Sequence, residues 1–246
     1  PRLSELFAAS TGNPAAPDLQ RDWIEIVNSS AATANLAGWR VVLAEPTRQS
    51  WTVPTGVQIA ANAHLRISAN PALPPSVTAS PSLNLGFALP DSGGTVELVA
   101  ADGVTRDRIN YGPQLRGRSV GFVPATTNWT LLETVTPGRT NAPPALLATG
   151  DLVRINEWLA LSTNAPDFIE LHNASELPVD LSNWRLTDDP SLAGVNRFRI
   201  SPLSFIDSFG WLAFTADANA GAGPDHLPFQ LAANGETLRL YRPNSN

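Results

Sequence analysis

Two glutamates are the first side chains in this sequence that could do chemistry. Glu25 and Glu170 each sit in an aromatic-Ile-Glu-aliphatic run that opens on an aspartate, Asp22 and Asp167 respectively. Hydrolysis of a glycosidic bond needs two carboxyl groups about 5–10 Å apart, one to protonate the leaving oxygen and one to attack or to activate water. Glu25 and Glu170 instead occupy equivalent places in two similar stretches, and no second carboxylate recurs at a spacing that would set it opposite either one. Alternation along the chain suggests a structural role. Glu25 points away from Ile24 and Ile26, and Arg40 away from Trp39 and Val41. Glu25–Arg40 and Glu170–Arg185 are therefore expected as cross-strand ion pairs, each contributing up to about 1 kcal/mol.

The other reactive groups are scattered. His64, His172 and His226 are neither spaced as metal ligands nor placed beside a serine and an aspartate. Asp188-Asp189 and the pair Asp18 and Asp22 lack the alternating oxygen ligands of a calcium loop. With no cysteine there is neither a thiolate metal site nor a disulfide frame. No catalytic residue, metal site or cofactor is expected. Arg106, Arg108, Arg116 and Arg118 form the one basic cluster. They could hold an anion or polyanion by bidentate guanidinium contacts, or they could be a solvated strand face balanced by Asp102 and Asp107. Asn28 and Asn173 end their runs just before Ser-Ser or Ala-Ser, where an asparagine closes an Asx turn on the backbone.

The elements that must position these residues come in two copies. Asp22 to Arg40 returns as Asp167 to Arg185, 145 positions later, with eight of nineteen residues identical. Similarity continues from Trp51 to Asn70 over Phe198 to Asp217, and from Phe87 to Val99 over Phe229 to Tyr241. Within the blocks the period is two: WIEIV, TVELV and TLRLY set polar residues between apolar ones, the signature of half-buried strands. Gly93-Gly94 and Asn234-Gly235 are expected as hairpin turns. Trp39 and Trp184 are expected core anchors, while Trp51, Trp129, Trp158 and Trp211 have no aligned tryptophan and could, where exposed, stack on sugar rings. The expected organisation is a first domain over 1–141, a proline-bearing linker over 142–150, and a second domain over 151–246 without the counterpart of residues 105–141, so that either the polypeptide continues or a sandwich is left with an open sheet edge.

Composition narrows the partners. Net charge is −6 and all sixteen basic residues are arginine, so no broad positive field exists to neutralise phosphates, and nucleic acid is not an expected partner. No apolar run is long enough to span a bilayer. The chain opens at Pro1, as a processed protein or an excised fragment would.

Taken together, the LSEL and RINEW runs, the Asp-aromatic-Ile-Glu-aliphatic-x-Asn motif, the NLAGW and DLSNW turns and the closing TPGRTN of the first copy resemble the lamin tail domain. The resemblance covers nearly all of 1–141 and, without terminal strands, 151–246. It implies an all-β chain of two tandem immunoglobulin-like β-sandwich domains. It further implies a non-catalytic module of a secreted or cell-surface bacterial protein, serving adhesion, assembly or spacing, with a protein partner or self-association. The alternative is an accessory domain that brings a larger secreted hydrolase to carbohydrate or a polyanion.

Overall fold

The computed structural model describes residues 1–123, 126–161, 166–189, 191 and 194–243. The chain divides into two compact units, Pro1–Asn110 with Leu115–Ala145, and Tyr111–Gln114 with Leu146–Asn246. Both are immunoglobulin-like β-sandwiches.

The first unit contains β1 (Arg2–Phe7), a single helical turn α1 (Pro17–Gln20), β2 (Trp23–Val27), β3 (Ala34–Asn35), β4 (Arg40–Glu45), β5 (Gln49–Thr52), β6 (Gln58–Ile59), β7 (His64–Ser68), β8 (Leu83–Asn84), β9 (Gly94–Val99), β10 (Thr105–Tyr111), β11 (Val120–Val123) and β12 (Asn128–Leu131). One sheet runs β12-β11-β1-β2-β7-β8, a second runs β10-β9-β4-β5, and β3 pairs with β6. Alternation turns one set of residues inward, so that Leu6, Ile24 and Ile67 on the first sheet and Val41, Leu43, Val96 and Leu98 on the second are all buried. The run after residue 104 supplies three strands, one more than the two its pattern suggests. Gly93 does close a turn, donating its N–H to the Pro90 carbonyl, but β9 then pairs with β4 and not with β8, so this turn is no hairpin.

The second unit contains β13 (Val153–Leu159), β14 (Phe168–Asn173), β15 (Val179–Asp180), β16 (Arg185–Thr187), β17 (Phe198–Arg199), β18 (Phe205–Ile206), β19 (Trp211–Thr215) and β20 (Arg239–Tyr241). Its sheets β13-β14-β19 and β17-β16-β20, with the pair β15-β18, follow the order of β1-β2-β7, β5-β4-β9 and β3-β6. Even a bulge is shared: register shifts between Leu3 and Glu5 in β1, and between Ile155 and Glu157 in β13. The core gathers Ile169, Leu171, Leu186, Ile200, Phe214 and Phe229.

Two sequence expectations need adjustment. Trp184 is buried in the core of the second unit, but Trp39 is only half-buried; the buried tryptophans of the first unit are Trp23 and Trp51. Trp23 opens β2, and its indole N–H donates to the Asp18 carbonyl, which satisfies the polar edge of an otherwise apolar ring. The segment expected as a linker is hydrogen-bonded on both sides. Glu133 donates to the Pro143 carbonyl and Ala145 to Leu131 within the first unit, and Ala148 donates to Pro178 within the second.

Candidate functional site

The expected Glu25–Arg40 pair does not form. β2 and β4 belong to opposite sheets of the sandwich, so the two residues are never cross-strand neighbours. The same holds for Glu170 on β14 and Arg185 on β16; Arg185 donates to Asn196 Oδ1 at 3.1 Å and Glu170 accepts from Asn156 at 2.8 Å. Nor does Glu25 face solvent, being completely buried although it alternates with the equally buried Ile24 and Ile26. Both faces of β2 are covered, one by the opposing sheet and the other by the loop that carries the TPGRTN motif.

That loop completes a polar knot. Glu25 Oε1 accepts from Ser4 Oγ at 2.8 Å and lies 2.6 Å from His64 Nδ1, while Oε2 accepts from the backbone N–H of Gly138. Glu5, directly opposite Glu25 across the β1–β2 ladder and equally buried, accepts from Ser119 Oγ at 2.6 Å, from Thr136 N–H at 3.0 Å and from Thr136 Oγ1 at 2.7 Å. Asn141 ties the loop down by donating to the carbonyls of Ser4 and Phe122. Sequence reasoning missed Ser4, Glu5, His64, Ser119 and Thr136 as one cluster. The signal was present in LSEL and TPGRTN, which carry the hydroxyls and small residues that two buried carboxylates need.

What the knot can do chemically is limited by who donates to whom. A serine nucleophile must pass its proton to a base such as histidine, but Ser4 and His64 both address the same carboxylate oxygen and not each other. A cavity of about 280 Å³ lies beside the knot, lined by Arg2, Ser4, Asn62, His64, Phe122 and Asn141, and neither Glu5 nor Glu25 reaches its wall. The arrangement is that of a structural clasp.

Burial pushes the Glu5 carboxyl above its ordinary value of 4.5; hydrogen bonds from Ser119 and Thr136 oppose the shift and the charge of Glu25 adds to it. Asp22, held by Ser10, is raised above 3.8, again chiefly by burial. An acid whose folded pKa is raised binds more protons folded than unfolded, so its contribution is present at low pH and is lost as pH rises through the folded value. In the second unit Asp151 and Asp189 are held below 3.8, by hydrogen bonds from Thr149 and Arg242 and from Ser191 respectively, and contribute stability that is lost as pH falls. Lowering pH from neutral towards 4.5 is therefore expected to raise the protection of β1 and β2 amides relative to their intrinsic exchange rate at each pH, and Glu5→Gln should flatten that response. Protection factors in β1 and β2 that fall over this range would contradict the assignment.

The four arginines fall on two elements. Arg106 and Arg108 share the outward face of β10, where Arg106 pairs with Asp102 and Arg108 Nε lies 3.7 Å from Glu97. Arg116 and Arg118 stand in the turn before β11, with Arg116 donating to the Thr11 carbonyl at 2.8 Å and Arg118 half-buried. Asp107, expected to balance this cluster, instead accepts from the Leu3 N–H. Of the unaligned tryptophans, Trp158 and Trp211 are 59% and 61% exposed. Trp158 sits opposite the inward Ile169 and Trp211 opposite the outward His172, on whose ring it stacks at 4.9 Å. Among the described residues there is no group of three His, Cys, Asp or Glu that could hold a metal ion, and no helix long and apolar enough to cross a membrane.

The stretch that carries Ser4, Glu5, Glu25 and His64 is similar to a known family. Residues 2–113 match the model of the Lamin Tail Domain. That family is one of non-catalytic immunoglobulin-like modules, and Glu5 and Glu25 of this chain lie fully buried within the matched stretch. The match ends before β11 and before the Thr136–Asn141 loop that closes the knot. No curated protein matches the chain. Solved structures with some likeness include an exo-chitosanase of Amycolatopsis orientalis in complex with PNP-β-D-glucosamine, at 12% identity over 97% of this chain and 26% of that one, with a TM-score of 0.24. Another is the exo-β-D-glucosaminidase CsxA inhibited by a glucosamine-configured castanospermine, at 12% identity over 95% and 26%, with a TM-score of 0.22. The chain spans about a quarter of the length of these enzymes.

Proposed function

We propose that the chain is a non-catalytic structural and interaction module of a secreted or cell-surface bacterial protein, made of two lamin-tail-type sandwiches and serving adhesion, assembly or spacing. The observation that carries this reading is the saturation of the Glu5–Glu25–His64 knot. Its acids are fully buried and spent on Ser4, Ser119, Thr136 and Gly138, which leaves them to hold strands together and not to meet a substrate. Extracellular placement rests on the resemblance of the repeated motif to bacterial members of the family.

The alternative, a carbohydrate- or polyanion-binding accessory domain, draws on the exposure of Trp158 and Trp211. Sugar rings call for aromatic faces on one platform, and the register sends these two side chains to opposite faces of one sheet. Arg106 and Arg108, for their part, have acidic neighbours in Asp102 and Glu97. Both features favour the first reading. Incubating purified residues 1–246 with chitosan and p-nitrophenyl glycosides, and running them through polysaccharide-loaded gels, should give neither turnover nor retardation. Turnover abolished by Glu25→Gln would overturn the proposal, and retardation relieved by Trp158→Ala or Trp211→Ala would favour the accessory role.

A further inference from the structure

The cavity beside the knot of the first unit keeps functional groups that the fold does not use. It holds about 280 Å³, and its wall includes Arg2, Ser29, Asn62, His64, Phe122 and Asn141 but no carboxylate. Arg2 sits over the Phe122 ring, 3.6 Å from its centroid, a cation–π contact that holds the head group without spending its N–H donors. Those donors meet no acid among the described residues; Asp107, which accepts from the neighbouring Leu3 N–H, does not pair with Arg2. His64 is half spent. Its Nδ1 lies 2.6 Å from Glu25 Oε1, and Nε2, on the far side of the ring, has no partner among the described residues. A carboxylate at Nδ1 draws the proton to that nitrogen, so Nε2 of the neutral ring is an acceptor. Asn141 adds a second unmet acceptor: Nδ2 donates to the Ser4 and Phe122 carbonyls, while Oδ1 is buried without a partner among the described residues.

We infer that this cavity is a docking pocket for an acidic residue of a protein partner, which sets its carboxylate on the Arg2 guanidinium and a peptide N–H on His64 Nε2. The inference rests on the interaction-module reading and gives that module a site. A lone guanidinium and a lone acceptor in one cavity call for a ligand that brings an anion and a donor together. A peptide carries both within one residue, and Ser29 and Asn62 add groups that can meet its carbonyls.

The same geometry disfavours other occupants. The planar fork of arginine matches a carboxylate with two parallel bonds. Phosphate asks for more donors, and the N–H groups of the covering loop that could supply them, those of Thr136 and Gly138, are already given to Glu5 and Glu25. A sugar ring calls for a bare aromatic face, whereas Phe122 already carries Arg2 over its ring. Size points the same way. A cavity of about 280 Å³ lies just under the range of about 300–1,000 Å³ usual for small-molecule sites, and it suits one acidic side chain with its adjoining peptide group.

Two short probes can be titrated into the chain of residues 1–246 at neutral pH and followed by nuclear magnetic resonance. N-acetyl-aspartate N-methylamide carries its carboxylate on a side chain, and N-acetyl-alanine carries it at a chain end. Saturable shifts of the Arg2 and His64 side-chain signals are expected, with a dissociation constant of about a millimolar, and the tighter probe names the source of the carboxylate. The asparagine analogue, which lacks the charge, and propionate, which lacks the N–H, should each bind about tenfold more weakly or worse. Arg2→Gln should weaken binding by a similar factor, and the probe series on the unaltered chain decides the matter even where that variant disturbs β1. Absence of saturable shifts overturns the inference, and so does binding that a folded Arg2→Gln variant leaves unchanged. Glucuronate or inorganic phosphate binding as tightly as the peptides also overturns it, since the cavity then takes a sugar acid or any anion. Probe failure with no glycoside turnover removes this site and leaves the proposed function standing; turnover removes that function, and this inference with it.

Discussion

Glu25→Ala is expected to cost the first unit about 3–5 kcal/mol, whereas Glu170→Ala at the aligned position should cost about 1 kcal/mol or less. The asymmetry follows from what covers each residue. Removing the Glu25 carboxylate strands the Ser4 hydroxyl, the His64 ring nitrogen and the Gly138 N–H beside a fully buried site, and opens a hole where the side chain stood. Relief of its repulsion towards Glu5 gives back little, because that repulsion is the smallest of the influences on Glu5. Glu170 loses one exposed hydrogen bond, from Asn156. Against a domain stability of about 5–15 kcal/mol, the first change leaves a marginal fold and the second does not. Glu25→Gln, which keeps an acceptor oxygen, should cost less than Glu25→Ala. Separate denaturant midpoints for the two units, read by amide exchange in β2 and β14, decide the matter; equal costs at the two positions would mean that the knot contributes nothing.

That contrast also marks where the sequence is legible and where it is not. Period-two alternation finds β2, β9 and β20 and sets Ile24 and Ile26 on one face of their strand, because those facts are local to a strand. Alternation also gives Glu25 its correct face, opposite to Ile24 and Ile26. It then fails on burial, because the cover over that face comes from Gly138, 113 residues away. The Arg40 pairing fails for a related reason. Spacing shows that β2 and β4 are near in sequence, but only the crossing between sheets decides that they are not neighbours. The residue that does stand opposite Glu25 on β7 is Arg66, and its guanidinium turns away to Asp18, 2.7 Å distant. Recurrence at Trp184 marks Trp39 as a core anchor, yet Trp23, which aligns with a phenylalanine, is the one fully enclosed. Recurrence identifies the shared motif, and the packing of each unit then decides which aromatic ring is covered.

Asn28 and Asn173 show how far one local reading can be extended. An Asx turn uses only the side-chain oxygen, and both residues have it: Asn28 Oδ1 accepts from Ser30 N–H and Oγ, and Asn173 Oδ1 from Ser175 N–H and Oγ. The amide nitrogen does as much again. Asn28 Nδ2 donates to the carbonyls of Ala32, Ile59 and Ala60, and Asn173 Nδ2 to those of Leu177 and Asp207. Each fully buried side chain thus fastens the end of its strand to the turn that follows and to the β6 or β18 region. Replacement by alanine removes five hydrogen bonds at Asn28 and four at Asn173; the serine hydroxyls still have the Ala32 and Leu177 carbonyls, and about 3–5 kcal/mol of destabilisation is expected in either unit at roughly 1 kcal/mol per bond. Aspartate separates the two roles. It preserves the oxygen that closes the turn, but it sets a second acceptor against two or three carbonyl oxygens and has no proton to give unless it stays neutral. Asn28→Asp and Asn173→Asp are therefore expected to destabilise at least as much as alanine at neutral pH and to recover partly on acidification, when a protonated carboxyl can donate once. If aspartate is instead tolerated at both positions in urea melts at neutral pH, the turn alone explains the recurring asparagine and the carbonyl contacts contribute nothing.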